Sequence, residues 1–395
     1  MKTLRTLQGL LIFAIAVGWS LSAGAAVLKA NGVQTGVVTM PVSGITNIAI
    51  TSVNTASTFV LCQNDAAIRL PTTRALCELT SATNLRITIY DTAGTEVVQW
   101  YVVEFLSGVT VQRSPVGGTA LAAGAPPPQT VNVALAPAVN LTQTFVLISE
   151  NMNSNNEYID EQWTVRAQLT STTNLQLTRN ATATAINVAW QVIQIASAAV
   201  QSGTATIAIN ALTATAALNP PVDLTRTFLV FTRSGGSGTL GVESWYQTTG
   251  AITNATTLTF SRAYQNSGFA NTQVDIAWFA VRMTDGSTVQ RGLQGPSGTG
   301  AASATMNVAL PSAVVTTRSV PFISVMGDPV PANPFSNLDD TSWRAALTTT
   351  TNLRLTRSSV LPATNNTSNA TVAWQVVQFN NQPNLVDGDG REIFP

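Results

Sequence analysis

The sequence predicts an all-β protein, a tandem array of four small antiparallel β-sandwich modules after a cleaved signal peptide. Three observations carry this. First, one nine-residue pattern is written four times, as Val97-Val98-Gln99-Trp100-Tyr101-Val102-Val103-Glu104-Phe105, Asn187-Val188-Ala189-Trp190-Gln191-Val192-Ile193-Gln194-Ile195, Asp275-Ile276-Ala277-Trp278-Phe279-Ala280-Val281-Arg282-Met283 and Thr371-Val372-Ala373-Trp374-Gln375-Val376-Val377-Gln378-Phe379. Second, its tryptophans lie 90, 88 and 96 residues apart, too far for a solenoid and about right for a small autonomous β-domain. Third, the sequence between them is rich in Thr and Val, alternates with period two, and is punctuated by Gly, Pro and Asn.

The N-terminus reads as a secretory signal over 1–25. Lys2 and Arg5 form a positive n-region, Leu10 to Val17 with Leu21 a short apolar run, and Ala23-Gly24-Ala25 the small residues that signal peptidase requires. The run is too short for a membrane anchor, so no integral membrane segment is expected after cleavage. The mature chain begins near Ala26 and is secreted or displayed at the cell surface. Modules follow at 26–108, 109–198, 199–287 and 288–380, with a tail at 381–395.

Each module opens on a tag, Val33-Gln34-Thr35-Gly36, Val111-Gln112-Arg113-Ser114, Val200-Gln201-Ser202-Gly203 or Val289-Gln290-Arg291-Gly292. An alternating strand follows, clearest in Val131 to Leu135 and Met306 to Leu310, and then a third strand such as Thr144 to Ile148. A variable polar loop leads to Trp163-Thr164-Val165-Arg166-Ala167-Gln168-Leu169, and Asn174 to Arg179 and the tryptophan strand complete the unit. Five to six short strands cannot hide their apolar faces in one open sheet, so two packed sheets are expected.

Trp163, Trp245 and Trp343 are read as sharing one inward position, as core tryptophans and not a sugar-stacking row. The Trp100, Trp190, Trp278 and Trp374 strands are apolar on both faces. A strand buried on both sides, or packed on a neighbouring module, has this pattern. The joints at 107–110, 196–199 and 284–288 are short, so the modules are expected as rigid neighbours in an elongated rod or fibre.

The chain has two cysteines. Aligned on module 2, Cys77 takes the inward place of Ala167, and Cys62 that of Ile148, where module 4 is read as having Val325. Two inward cysteines in an exported chain predict a disulfide, which closes a loop of about 15 residues and contributes roughly 3 kcal/mol. It is expected to staple module 1 locally.

Charged residues are 10% of the chain and the net charge is zero, which leaves no footprint for nucleic acid or anionic membranes. Histidine is absent, which removes Ser-His-Asp and Cys-His catalysis and His-containing zinc sites. No phosphate-binding or nucleophile-elbow motif sits in a strand–helix context. The chain is therefore read as no enzyme, without catalytic or cofactor-binding residues. Oxygen-rich loops at Glu157, Asp160 and Glu161, at Asp328, Asp339 and Asp340, and in the tail from Asp387 leave structural Ca²⁺ as the one cofactor to weigh, against solvated loop acids.

In module size, β-character and secretion the chain resembles small lectin-like or adhesin-like sandwich repeats; the likeness covers architecture and carries no binding residues. The expected function is a secreted structural or adhesive repeat protein of the cell surface or extracellular matrix. The alternative is a multivalent carbohydrate-binding protein with surface glycans as partners. Self-association is expected too. Lysine is the usual guard of strand edges, and Lys2 and Lys29 are the only two.

Overall fold

The structure, a computed structural model, describes residues 20–21, 25–65, 72, 74–90, 96–152, 164–180, 182–235, 247–262, 273–295, 304–327, 342–357, 370–382, 385–386 and 392–393. Among them every regular element is a β-strand apart from single 3-10 turns such as Thr55–Ser57. Four successive stretches, here units 1 to 4, pair their strands in one recurring way. In unit 1, Val27–Thr39, Val97–Ser107 and Thr58–Asp65 form an antiparallel sheet in that order, and Ile45–Ala49, Asn84–Thr88 and Leu76–Ser81 form another. Unit 2 differs in that its first strand is broken into Val109–Arg113 and Thr119–Leu121, both paired with Ile186–Ile195. Ser20–Leu21 pairs with Leu385–Val386, which pairs with Glu392–Ile393.

The tryptophan strand is central in its sheet, and its two faces have different destinations. Val98, Trp100 and Val102 pack within unit 1, and Ile276, Trp278 and Ala280 within unit 3. The alternate residues Tyr101, Val103 and Phe105 join Phe279, Val281, Met283, Val377 and Phe379 in a core shared by all four units. Trp190, Trp278 and Trp374 are buried and Trp100 is partly exposed. The tag glycines make room for the indoles: a Cβ on Gly36, Gly203 or Gly292 would lie 2.6–2.7 Å from Cζ2 of the tryptophan it faces. Unit 2 has Ser114 at that place, and there Trp190 Nε1 donates to Thr119 Oγ1 at 2.9 Å.

Strand register corrects two sequence alignments. A bulge follows Leu79, Leu169, Ile252 and Leu347 in corresponding strands. Counted back from it, the buried Trp343 takes the place of Val165 and Ala75, whereas Trp163 is two residues further out and Trp245 three. Trp343 is thus a core residue at the place of Val165; Trp163 and Trp245 lie outside the described residues. Cys62 and Ile148 both face the tryptophan of the central strand, and in unit 4 that place belongs to Ile323, with Val325 two residues on. Alternation keeps Ile323 and Val325 on one face, so the inward reading of Cys62 is unaffected. Cys62 and Cys77 form a disulfide with Cα atoms 6.3 Å apart.

The rod is overturned by contacts between the first and last units. Phenylalanines from one unit after another meet around the shared core: Phe379–Phe59 at 6.2 Å, Phe59–Phe145 at 6.4 Å, Phe145–Phe228 at 5.7 Å and Phe228–Phe322 at 5.4 Å. Unit 4 thus returns to unit 1. Short joints bring consecutive units together, but the apolar second face of each tryptophan strand is hidden only when the four close around a common centre.

Side chains latch the backbones of adjacent units in two alternating ways. Gln191 of unit 2 accepts from Val60 N–H and donates to Val60 C=O, both at 2.8 Å, and Gln375 of unit 4 does the same to Leu229 of unit 3. Arg113 Nη2 donates to the carbonyls of Thr55 and Thr58, and Arg291 to those of Leu224 and Thr227. At the other two interfaces Thr232 of unit 3 grips Ala167 of unit 2 through N–H and C=O. Gln63 of unit 1 accepts from Ala345 N–H and donates to the Pro321 carbonyl of unit 4. Interface 1–2 is thus of one kind with 3–4, and 2–3 of one kind with 4–1.

Candidate functional site

The third strands of the four units, Thr58–Asp65, Thr144–Met152, Thr227–Gly235 and Ser319–Met326, converge on a cavity of about 260 Å³. Its apolar lining comes from every unit: Leu61, Leu147, Val230 and Phe322. These residues are strand-compatible and sit on the faces turned away from each unit's own core, which is why they meet here. The polar lining includes Arg74, Arg233, Gln247 and Ser342. These flank the connections between third and fourth strands, the variable loops of the sequence analysis, at 66–71, 236–246 and 328–341.

The charge at this end comes from three units. Glu150 of unit 2 is pushed up to about 8, first by burial, against the opposing pull of Arg74 and Arg233 and a hydrogen bond from the Val165 backbone. Part of the residue is exposed, but Oε2 is sealed from solvent and has no hydrogen-bond partner. Arg233 donates to Gln247 Oε1 at 2.6 Å. Nearby, Arg344 of unit 4 bridges Asp65 of unit 1 at 2.6 Å; burial nonetheless raises the Asp65 carboxyl above its ordinary value, Arg344 working against it. Apolar walls, amide groups and guanidinium groups suit hydrogen-bonded recognition. The described lining contains no nucleophile paired with a base.

Arginine also recurs inside the units. Arg179 and Arg262 end equivalent strands, Arg357 directly follows the corresponding one, and all three are nearly fully buried. Arg179 donates to the carbonyls of Leu121, Ala122 and Thr184, and Arg262 to those of Ala208 and Ala211, so each ties down a loop. Burial lowers Arg179 to about 10. Unit 1 has Ile89 at this place.

Among the described residues no group of three His, Cys, Asp or Glu could hold a metal ion, and no helix is long and apolar enough to cross a membrane. The loop acids Glu157, Asp160, Glu161, Asp328, Asp339 and Asp340 lie outside the described residues, as does Asp387. Sequence reading missed Arg74, Arg233 and Glu150. Glu150 and Arg233 are scattered over equivalent strand positions, so no linear motif marks them. Comparison with known proteins finds no family model and no curated protein that matches this chain.

Proposed function

We propose that the chain is a secreted, non-enzymatic recognition protein of the cell surface or extracellular matrix, with an adhesive role. In this reading residues 1–25 are a cleaved signal peptide and the four units are tandem β-sandwich modules at 26–108, 109–198, 199–287 and 288–380, followed by the tail. One observation carries it: the variable connections of units 1, 3 and 4 leave from and return to the neighbourhood of the cavity, on a scaffold whose four parts share one core. Loops presented by a rigid β-scaffold are a common seat of recognition.

Glycans are the ligand class favoured by the chemistry of the rim, since amides, hydroxyls and guanidinium groups over an apolar floor match a sugar's polar edge and apolar face. The test is a panel of polysaccharides and cell-wall glycans probed with the mature protein, alongside Arg233→Ala and Gln247→Ala. Binding weakened by either substitution supports the reading. No binding on the panel, together with no adhesion of protein-coated beads to cells, refutes it.

Self-association belongs to the same proposal. Removal of residues 1–25 would take Ser20–Leu21 from Leu385–Val386 and leave that edge open to another chain. Light scattering of the mature protein and of a chain ending at Phe379 checks this. A monomeric full-length protein refutes association, and equal assembly of both chains clears the tail.

A further inference from the structure

Opposite in kind to the cavity is a node where the joints of the chain meet. Ala25 C=O accepts from Ser107 Oγ at 3.2 Å, Ala196 N–H donates to Gly108 C=O at 2.8 Å, and Leu28 N–H donates to Asn380 C=O at 2.9 Å. Thr284 N–H and Oγ1 both donate to Ser197 C=O at 2.8 Å, and Asn380 donates to Ser287 Oγ and to the Asp285 carbonyl. The start of the chain, all three joints and the end of unit 4 are therefore laced together.

At the centre of this node lies Asp285, 2% exposed. Its Oδ1 accepts from Ser287 N–H at 3.0 Å and Ser287 Oγ at 2.6 Å, and its Oδ2 accepts from Ser197 Oγ at 2.7 Å. Among the described residues no cationic side chain bridges to Asp285. A buried carboxylate ordinarily has a cation as well as hydrogen bonds. One hydroxyl away is the backbone nitrogen of Ala26, which donates to the same Ser197 Oγ at 3.3 Å and belongs to a residue 1% exposed.

We infer that the missing cation is the α-ammonium of Ala26, created when the signal peptide is removed after Ala25. The structure assigns it a buried socket formed by Ser197 and Asp285. Hydrolysis of the Ala25–Ala26 peptide bond consumes one water and gives a carboxylate on the departing segment and a protonated amine on Ala26. That amine keeps its bond to Ser197 Oγ and gains protons and charge directed at Asp285. Maturation would then fasten the first strand to the joints 2–3 and 3–4, coupling processing to closure of the four units. The inference rests on the cleavage reading under Proposed function.

The mature chain makes the test simple, because Lys29 is its only lysine and the α-amine its only other acylable amine. N-terminal sequencing of the exported protein fixes the terminus. Native protein is then treated briefly with an amine-acylating reagent and its peptides are read by mass spectrometry. An ion pair that raises the amine's pKa by one unit leaves about tenfold less reactive free amine, and burial slows labelling further. In the native protein Ala26 is expected to label at least about tenfold more slowly than the same amine does in denaturant, where the pair and the burial are lost. Asp285→Asn should restore labelling of Ala26. A secreted form with Gly-Ser ahead of Ala26 should lose a few degrees of Tm, and Asp285→Asn should add little to that loss. A terminus other than Ala26 overturns the cleavage reading and the pairing with it. A terminus at Ala26 whose amine labels as fast in the native protein as in denaturant overturns the pairing alone, as does an extended form as stable as the free one. The last comparison needs no Asp285 variant, so it decides even if that variant fails to fold.

Discussion

Replacing Phe228 by Ala separates a shared core from four independent ones. Phe228 is fully buried, stacked on Phe322 of unit 4 at 5.4 Å and edge-on to Phe145 of unit 2 at 5.7 Å. Truncating a buried Phe costs about 3–5 kcal/mol, a range that includes lost ring contacts and the cavity left behind. The resulting shift in Tm depends on how much chain melts with it. At roughly 2.1 cal/mol/K per residue, a loss of about 4 kcal/mol lowers Tm by about 5 °C if some 370 residues of mature chain unfold together. The same loss lowers Tm by about 20 °C if a unit of about 90 residues melts alone. Differential scanning calorimetry reads the difference directly. The structure predicts one transition, displaced by about 5 °C, with the van't Hoff enthalpy close to the calorimetric one. A trace in which one component drops by about 20 °C while the rest stays in place would refute a common core.

Three further outcomes follow from particular contacts. Gln375→Ala strands the N–H and C=O of Leu229, each an expected loss of about 1–3 kcal/mol, so the denaturant midpoint should fall at unchanged m-value; an unchanged midpoint contradicts the latch. Reduction of the Cys62–Cys77 bond, or Cys62→Ala with Cys77→Ala, should remove roughly 3 kcal/mol from the single transition, and loss of unit 1 alone would contradict the shared core. Folding lifts Glu150 from 4.5 to about 8, so between those values the folded state binds the extra proton; this group's contribution is most favourable below about pH 4.5 and is lost as pH rises towards 8. Glu150→Gln should therefore flatten part of the fall in stability over that window and raise stability at pH 8.5 by up to a few kcal/mol, and a variant with the parent's pH profile refutes the assignment.

The strands were legible because their information is local. Alternation placed Trp100, Trp190, Trp278 and Trp374 on strands apolar to both sides, and parity alone turned Cys62 and Cys77 towards each other. Closure was not legible, because its carriers look like ordinary surface. Gln191 and Gln375 read as the polar members of an alternating strand, and only the backbone they grip, over 130 residues away for Gln191, gives them a partner. The tag glycines were visible as a motif, but their reason, an indole lying across the neighbouring strand, needed the pairing register. The same holds for Trp343. Sequence spacing aligned it with Trp163, whereas counting back from the bulge that follows both Leu169 and Leu347, a landmark invisible in composition, puts it at the place of Val165.

The alternation of interfaces has a consequence for half of the molecule. A chain of residues 26–198 holds one interface of the first kind and exposes both halves of the second. Unit 1 would present Gln63, Asp65 and Tyr101, which in the whole chain engage Ala345 and Arg344 of unit 4. Unit 2 would present Arg166 and Ala167, which stand at the places of Arg344 and Ala345 in the bulge-anchored register. In the intact protein Arg166 faces unit 3, where Ser234 stands at the position of Asp65, and Arg166 Nε has no hydrogen-bond partner. Two copies of the half-chain can therefore close on each other with the 4–1 geometry twice over, each Asp65 meeting the other copy's Arg166 and each Gln63 the other copy's Ala167. Such an interface is isologous and closes at two copies. Light scattering should find a dimer, weakened by Asp65→Ala, because removing one partner of a part-buried pair leaves the other uncompensated. A half-chain that is folded and monomeric at micromolar concentration would show that closure depends on specifics of units 3 and 4 and not on the alternating pattern of latches.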